Sequence, residues 1–252
     1  MSIHFPDWVS PALALAQQTL ESCHAPDSFD FVGQIDETLP REGYRMQLSP
    51  MESGKQTLRV SGGSDIGLMY GAMDFVNRII PAAEQAHKWM FPYYFVNPFE
   101  TGFAPMDETS SPSVARRGLW TWGHVIYDYR GYLTNMARLK LNELVIWNDF
   151  APLNADEIVA FAHGLGIRII WGYSWGWDTS IKTDLSDPLA LHALEDSVVD
   201  TFVRHYAALP GDGIYFQSFT ETAVLLQHRR DNYKGHLVCK KAHYGQRPRY
   251  SG

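Results

Sequence analysis

Several residue types that can do chemistry fall in similar places along this chain. Glu221 follows the apolar run that starts at Ile214; Asp149 follows Leu144–Trp147, and Asp178 follows Ile167–Tyr173. His124 and Trp122 close the run that begins at Gly118, while Trp147, Trp175 and Trp177 stand at or just past the ends of the others. Carboxyl groups donate and accept protons, and indole faces stack on the C–H faces of sugar rings. Together they point to acid–base chemistry on a carbohydrate. The plainer alternatives are core tryptophans and a Glu favoured by the positive end of a helix. Among the ten histidines no HxxxH or HExxH spacing marks a metal site. We expect neither a metal nor a cofactor.

The elements that must position these residues are strand–helix repeats. Arg116 to Asp149 reads as strand, loop, helix, strand. Gly118–Trp122 is short, apolar and aromatic, as a buried strand should be. Tyr132, Leu133, Met136, Leu139 and Leu141 recur at helical spacing, and Leu144–Trp147 is the second strand. Asn154 caps a helix through Leu165, ended by Gly166. A strand over Ile167–Tyr173, a long helix over Pro188–Leu209 and a fourth strand over Asp212–Gln217 follow. Four βα steps in one direction predict a parallel sheet of the barrel type, whose strand C-terminal ends carry the active site.

Residues 1–107 read as a small α/β domain. A helix is expected over Ala12–Ser22, a strand over Phe29–Ile35, and a hairpin of Gly43–Leu48 with Gln56–Ser61. Ser64 or Asp65 caps a further helix with Leu68, Ala72, Phe75, Val76 and Ile79 on one face. The glycines between 62 and 71 lack phosphate-loop spacing and suit close helix–sheet packing instead. Residues 81–115 are proline-rich and loop-like, with a polar linker around 106–113, so the domain boundary is placed at 108–115.

Length and composition bound the rest. The chain has 252 residues, 45% hydrophobic and 19% charged, with eight Trp, thirteen Tyr and thirteen Phe. That is enough to bury a real core. A formal charge of −7 argues against a nucleic-acid partner. No run approaches the ~18 apolar residues of a membrane span, so no membrane partner is expected. Cys23 and Cys239 lack metal or redox spacing and read as free thiols. The N-terminus lacks a basic stretch before its apolar residues. These features predict a cytoplasmic protein.

A complete eight-stranded barrel takes about 250 residues by itself, and only about 135 follow the linker here. Residues 116–227 therefore read as the first half of a barrel. From His228 to Gly252 there are seven Lys or Arg and one acid, against fourteen and twenty-seven in the rest of the chain. This basic tail has no apolar period. It is either an interaction tail or, as favoured here, sequence beyond a frame shift or truncation near Ala223–Gln227. An open half-barrel exposes strand edges, which predicts self-association.

The order of elements resembles family 20 β-N-acetylhexosaminidases and family 67 α-glucuronidases, in which a small α/β domain precedes a (β/α)8 barrel. The resemblance rests on Glu42-Gly43-Tyr44-Arg45-Met46, on Ser61 through Ala72 with its G-x-D-x-x-G-x-x-Y-G pattern, on Arg116-Arg117-Gly118, and on Lys140-Leu141-Asn142 before the second strand. It covers most of residues 40–222 and implies hydrolysis of a glycosidic bond. It further implies Glu221 as the general acid, and for family 67 a base on later strands than this chain holds; by position Asp149 and Asp178 are the candidates for second carboxylate, Asp149 reading rather as a hydroxyl ligand or a loop cap. His124, Trp122, Trp147, Trp175 and Trp177 would hold the sugar. Tyr127 and Tyr129 would lie in a covering loop, and Arg130 could bind a uronic acid carboxylate. Family 20 enzymes carry an Asp directly before the acid; here it is Thr220, so the resemblance does not carry substrate-assisted catalysis on an N-acetyl sugar. The competing class is a non-catalytic carbohydrate-binding or inactive truncated protein.

Overall fold

The computed structural model describes residues 1–90, 97–148, 151–173 and 187–215, with only the backbone described for 86–90. It is an α/β protein with two sheets. The chain divides into two compact units. The first holds Met1–Gly118, Ile126–Glu143 and Ala160–Arg168; the second holds Leu119–Val125, Leu144–Val159 and the chain from Ile169 onward.

The first sheet contains β1 (Ser2–His4), β2 (Phe29–Ile35), β3 (Tyr44–Leu48), β4 (Gln56–Gly62) and β5 (Met106–Ser110), in the order β1-β2-β4-β3-β5. β1, β2 and β4 run parallel, and β3 pairs antiparallel with both β4 and β5. The expected hairpin of β3 with β4 is present. Alternation places Tyr44, Met46 and Leu48 of β3, and Leu58 and Val60 of β4, in the core. α1 (Pro11–Glu21) buries Ala12, Leu13, Leu15, Ala16 and Leu20. Phe29, Phe31, Phe75, Phe99 and Phe103 form one aromatic cluster, with Phe29 stacked on Phe75 at 5.7 Å and edge-on to Phe99 at 5.1 Å.

α2 (Asp65–Asp74) starts at Ser64, whose hydroxyl accepts from the Ile66 N–H at 3.1 Å. The glycines of this stretch do pack closely. A Cβ on Gly67 would stand 2.1 Å from the Gly43 carbonyl oxygen, and one on Gly71 would stand 2.5 Å from Val60.

The described residues within 81–115 hold more regular structure than their prolines suggested. A π-helical turn, Phe75–Ile79, joins α2 to α3 (Ile80–Met90). A proline ring clashes with the carbonyl four residues back, and the wider π turn just before Pro81 lets the helix continue. α4 (Pro98–Thr101) is a single turn. The 106–113 stretch, expected as linker, supplies β5. It is an edge strand held by polar contacts, Arg45 to Asp107 at 2.7 Å and Arg78 to Glu108 at 2.8 Å, so it shows no apolar period.

The second sheet has the order β6-β7-β8-β9, from β6 (Gly118–Trp120), β7 (Glu143–Trp147), β8 (Arg168–Gly172) and β9 (Gly213–Ile214). Its strands are parallel: Asn142 N–H bonds to Arg117 O and Gly123 N–H to Trp147 O, and the β7–β8 bonds step the same way from Arg168 to Asn142 through Asn148 to Gly172. α5 (Tyr129–Arg138), α6 (Ala155–Gly164) and α7 (Pro188–His205) make the crossovers. These are sequential βα steps, the arrangement of the early part of a (β/α)8 barrel. β6 departs from expectation. Leu119 and Trp120 are 39% and 40% exposed, because β6 pairs with β7 alone among the described strands. No helix among the described residues is long and apolar enough to cross a membrane.

Candidate functional site

Two sets of residues singled out in the sequence separate in the structure. The first set lies within the first unit and ties the chain at Arg117 and at Lys140–Asn142 to Glu42, Tyr44 and Asp74. Glu42 accepts from Arg117 at 2.9 Å and from the Asn142 amide at 3.0 Å. Arg117 also donates to the Lys140 carbonyl at 2.6 Å, and the Asn142 side-chain oxygen accepts from the Arg117 N–H at 2.9 Å. Lys140 adopts the left-handed region, φ 56°, and its ammonium reaches Asp74 at 2.5 Å and lies 5.1 Å from the Tyr44 ring centroid. The Tyr44 hydroxyl donates to Asp74. Glu42, Tyr44, Tyr70, Arg117, Lys140 and Asn142 all came from the motifs that carry the family resemblance. Here they form a polar clamp.

Burial pushes the Tyr44 hydroxyl up to about 12, reinforced by its hydrogen bond to Asp74. Burial raises Tyr70 too, helped by the nearby Glu42 charge, and takes Tyr129 to about 12. All three are raised above the unfolded value of ~10, so the stability they contribute is full below pH ~10 and is lost at higher pH, for Tyr44 and Tyr129 as pH rises through about 12. The thermal midpoint should hold from neutral pH to ~10 and then fall, with a shallower fall in Tyr44→Phe. A wild-type midpoint flat to pH ~12 would contradict this.

The second set lies in the second unit. Thr121 is buried, its hydroxyl accepts from the Trp147 N–H at 3.1 Å, and its own N–H donates to Val145 O at 3.0 Å. The chain then turns through Trp122, φ 46°, and Gly123, φ 71°. A left-handed tryptophan costs about 1 kcal/mol, so its persistence marks a position fixed by its surroundings. The turn lays Trp122 on Trp147, with centroids 5.4 Å apart and planes 14° from parallel. Trp120 meets Trp122 edge-on at 4.2 Å and Tyr215 at 4.9 Å. Trp122 remains 44% exposed. The Trp147 indole N–H is buried and finds no hydrogen-bond partner among the described residues. A donor left so costs about 1–3 kcal/mol unless a ligand supplies the acceptor.

Of the expected site residues, Trp122 and Trp147 are thus brought together at the C-terminal ends of β6 and β7. His124 is exposed; its backbone N–H closes the turn on Thr121 O at 3.1 Å. Tyr127 is 96% exposed and covers nothing among the described residues. The Arg130 guanidinium sits 4.7 Å from the Phe161 ring centroid, within the first unit. Trp120 and Tyr215 joined the cluster without being anticipated. Trp120 was hidden by its place inside an apolar run, and Tyr215 by its place in a strand. Asp149, Trp175, Trp177, Asp178 and Glu221 lie outside the described residues, as does the tail from His228. No group of three or more His, Cys, Asp or Glu that could hold a metal ion occurs among the described residues.

No protein-family model matches the chain, and no curated protein matches it in sequence. Solved structures do match. One is a β-N-acetylhexosaminidase from Bacteroides fragilis NCTC 9343, with 16% identity and a TM-score of 0.44. The match covers 68% of this chain and 39% of that one, so this chain spans well under half the length of the enzyme. A likeness of that size bears on neither activity nor substrate.

Proposed function

We propose that this chain acts on carbohydrate as a glycoside hydrolase, with the tryptophans as sugar platform and Glu221 as proton donor. The observation that carries the reading is the Trp122–Trp147 stack at the strand C-terminal ends, held by a left-handed tryptophan and left open to solvent. Parallel βα folds place their ligands at that end of the sheet. Stacked indoles offer an apolar face to the C–H side of a pyranose. Glu221 would protonate the departing glycosidic oxygen, with Asp149 binding a hydroxyl.

A panel of aryl glycosides, including β-N-acetylglucosaminides and α-glucuronides, tests the proposal. Release of the aryl alcohol from at least one is expected. Saturable binding without release would make the chain a carbohydrate-binding protein, and neither binding nor release would overturn the carbohydrate assignment.

A further inference from the structure

An open groove of about 590 Å³ lies in the first unit, between the start of α1 and the flanks of α5 and α6. Its size is that of small-molecule sites, which commonly span ~300–1,000 Å³. Its walls are mainly apolar, with Pro11, Leu15, Phe161 and Leu165 among the lining residues and Ser10, Gln18 and Thr134 as polar ones. The floor is firm, since a Cβ on Gly164 would stand 2.5 Å from the Pro11 ring, leaving α1 and α6 in close contact.

One charge faces this surface. The Arg130 guanidinium carbon lies over the Phe161 ring, 4.7 Å from its centroid, and no carboxylate among the described residues pairs with it. Stacking uses the faces of the guanidinium and leaves its in-plane N–H donors free, the geometry that grips a carboxylate with two parallel hydrogen bonds. The first turn of α1 contains no acidic residue to oppose an anion. The groove thus pairs an apolar trough with one uncompensated positive fork.

We propose that this groove binds a small amphipathic carboxylate, aliphatic or aryl, with its apolar body along Leu15 and Leu165 and its headgroup on Arg130. All the lining residues belong to the first unit and the tryptophan cluster belongs to the second, so this site is independent of the sugar reading. From the sequence Arg130 reads as a solvated helix-start residue or, as the alternative, a ligand for a carboxylate such as a uronic acid; its setting against Phe161 favours a hydrophobic acid over a sugar acid.

Calorimetric titration of the full chain with 4-phenylbutyrate and its uncharged amide, 4-phenylbutanamide, tests the proposal. The acid should bind saturably at one site, roughly fivefold tighter than the amide, as an exposed guanidinium–carboxylate pair allows. Arg130→Gln should bring the two affinities together without moving the thermal midpoint, because the side chain is exposed. Ala14→Trp, which fills the groove from an exposed lining position, should abolish binding of both. No saturable binding of the acid, equal affinity for acid and amide, or titrations unchanged in either variant would overturn it.

Discussion

Gly67→Ala should destabilise the protein by about 2–4 kcal/mol, enough to unfold a marginal domain at physiological temperature. An exposed helical Gly→Ala change would normally gain up to ~1 kcal/mol. Here the new methyl would stand 2.1 Å from the Gly43 carbonyl oxygen, where no side-chain rotation can relieve it. That carbonyl also accepts the Gly63 N–H at 2.9 Å, and the Gly43 N–H bonds to Pro40 O at 2.7 Å, so the loop has no free direction in which to retreat. α2 must lift from β3, which would pull Asp74 away from Tyr44 and Lys140 and loosen the clamp. Urea unfolding measures the loss. A midpoint unchanged or raised would show that the contact is slack.

Glu221→Gln should lower kcat on an aryl glycoside by about 10²–10⁴-fold while leaving saccharide affinity within about twofold. The glutamine keeps the size and the hydrogen-bonding oxygen of the side chain and loses the proton. An alkoxide is a poor leaving group, so the loss should be largest on ordinary alkyl glycosides. It should shrink on dinitrophenyl glycosides, whose leaving group needs little protonation. The competing role for Glu221, charge complementarity at a helix start, predicts something else: a stability loss of at most ~1 kcal/mol and unchanged turnover. The leaving-group dependence separates the two, and turnover that survives the substitution would remove Glu221 from the chemistry.

Much of the small domain was legible because its signals are periodic. The two-residue alternation of Tyr44, Met46 and Leu48 fixes which face of β3 is inward, and the spacing of Leu13, Ala16 and Leu20 does the same for α1. Period does not report how many neighbours a strand has. Gly118–Trp120 has the composition of a buried strand and sits on an edge, so Trp120 was misplaced in the core. β5 failed in the opposite way, since a polar edge strand held by Arg45 and Arg78 leaves no apolar trace. α3 was missed because a proline near its start was read as a break, and the π turn that accommodates it has no sequence signature.

The site was legible in part for similar reasons. Tryptophans at strand ends could be located, but the left-handed turn that lays Trp122 on Trp147 depends on Thr121 anchoring the backbone, which spacing cannot show. The motif residues Glu42, Arg117, Lys140 and Asn142 were recognised as a family pattern. Their hydrogen bonds now give that sequence pattern a physical cause: within the first unit they tie Arg117 and Asn142 to Glu42, and Lys140 to Asp74.

The most direct test of the carbohydrate assignment is calorimetric titration of the intact chain and its Trp122→Ala variant with a series of oligosaccharides. Trp122 is 44% exposed, so its removal should leave the fold standing. Loss of a stacking face is worth about 1 kcal/mol or more. We therefore expect at least one saccharide to bind the native chain and to bind the variant roughly five- to tenfold more weakly, at an unchanged thermal midpoint. Equal affinity for the two proteins, or no saccharide bound by the native chain, would contradict the account.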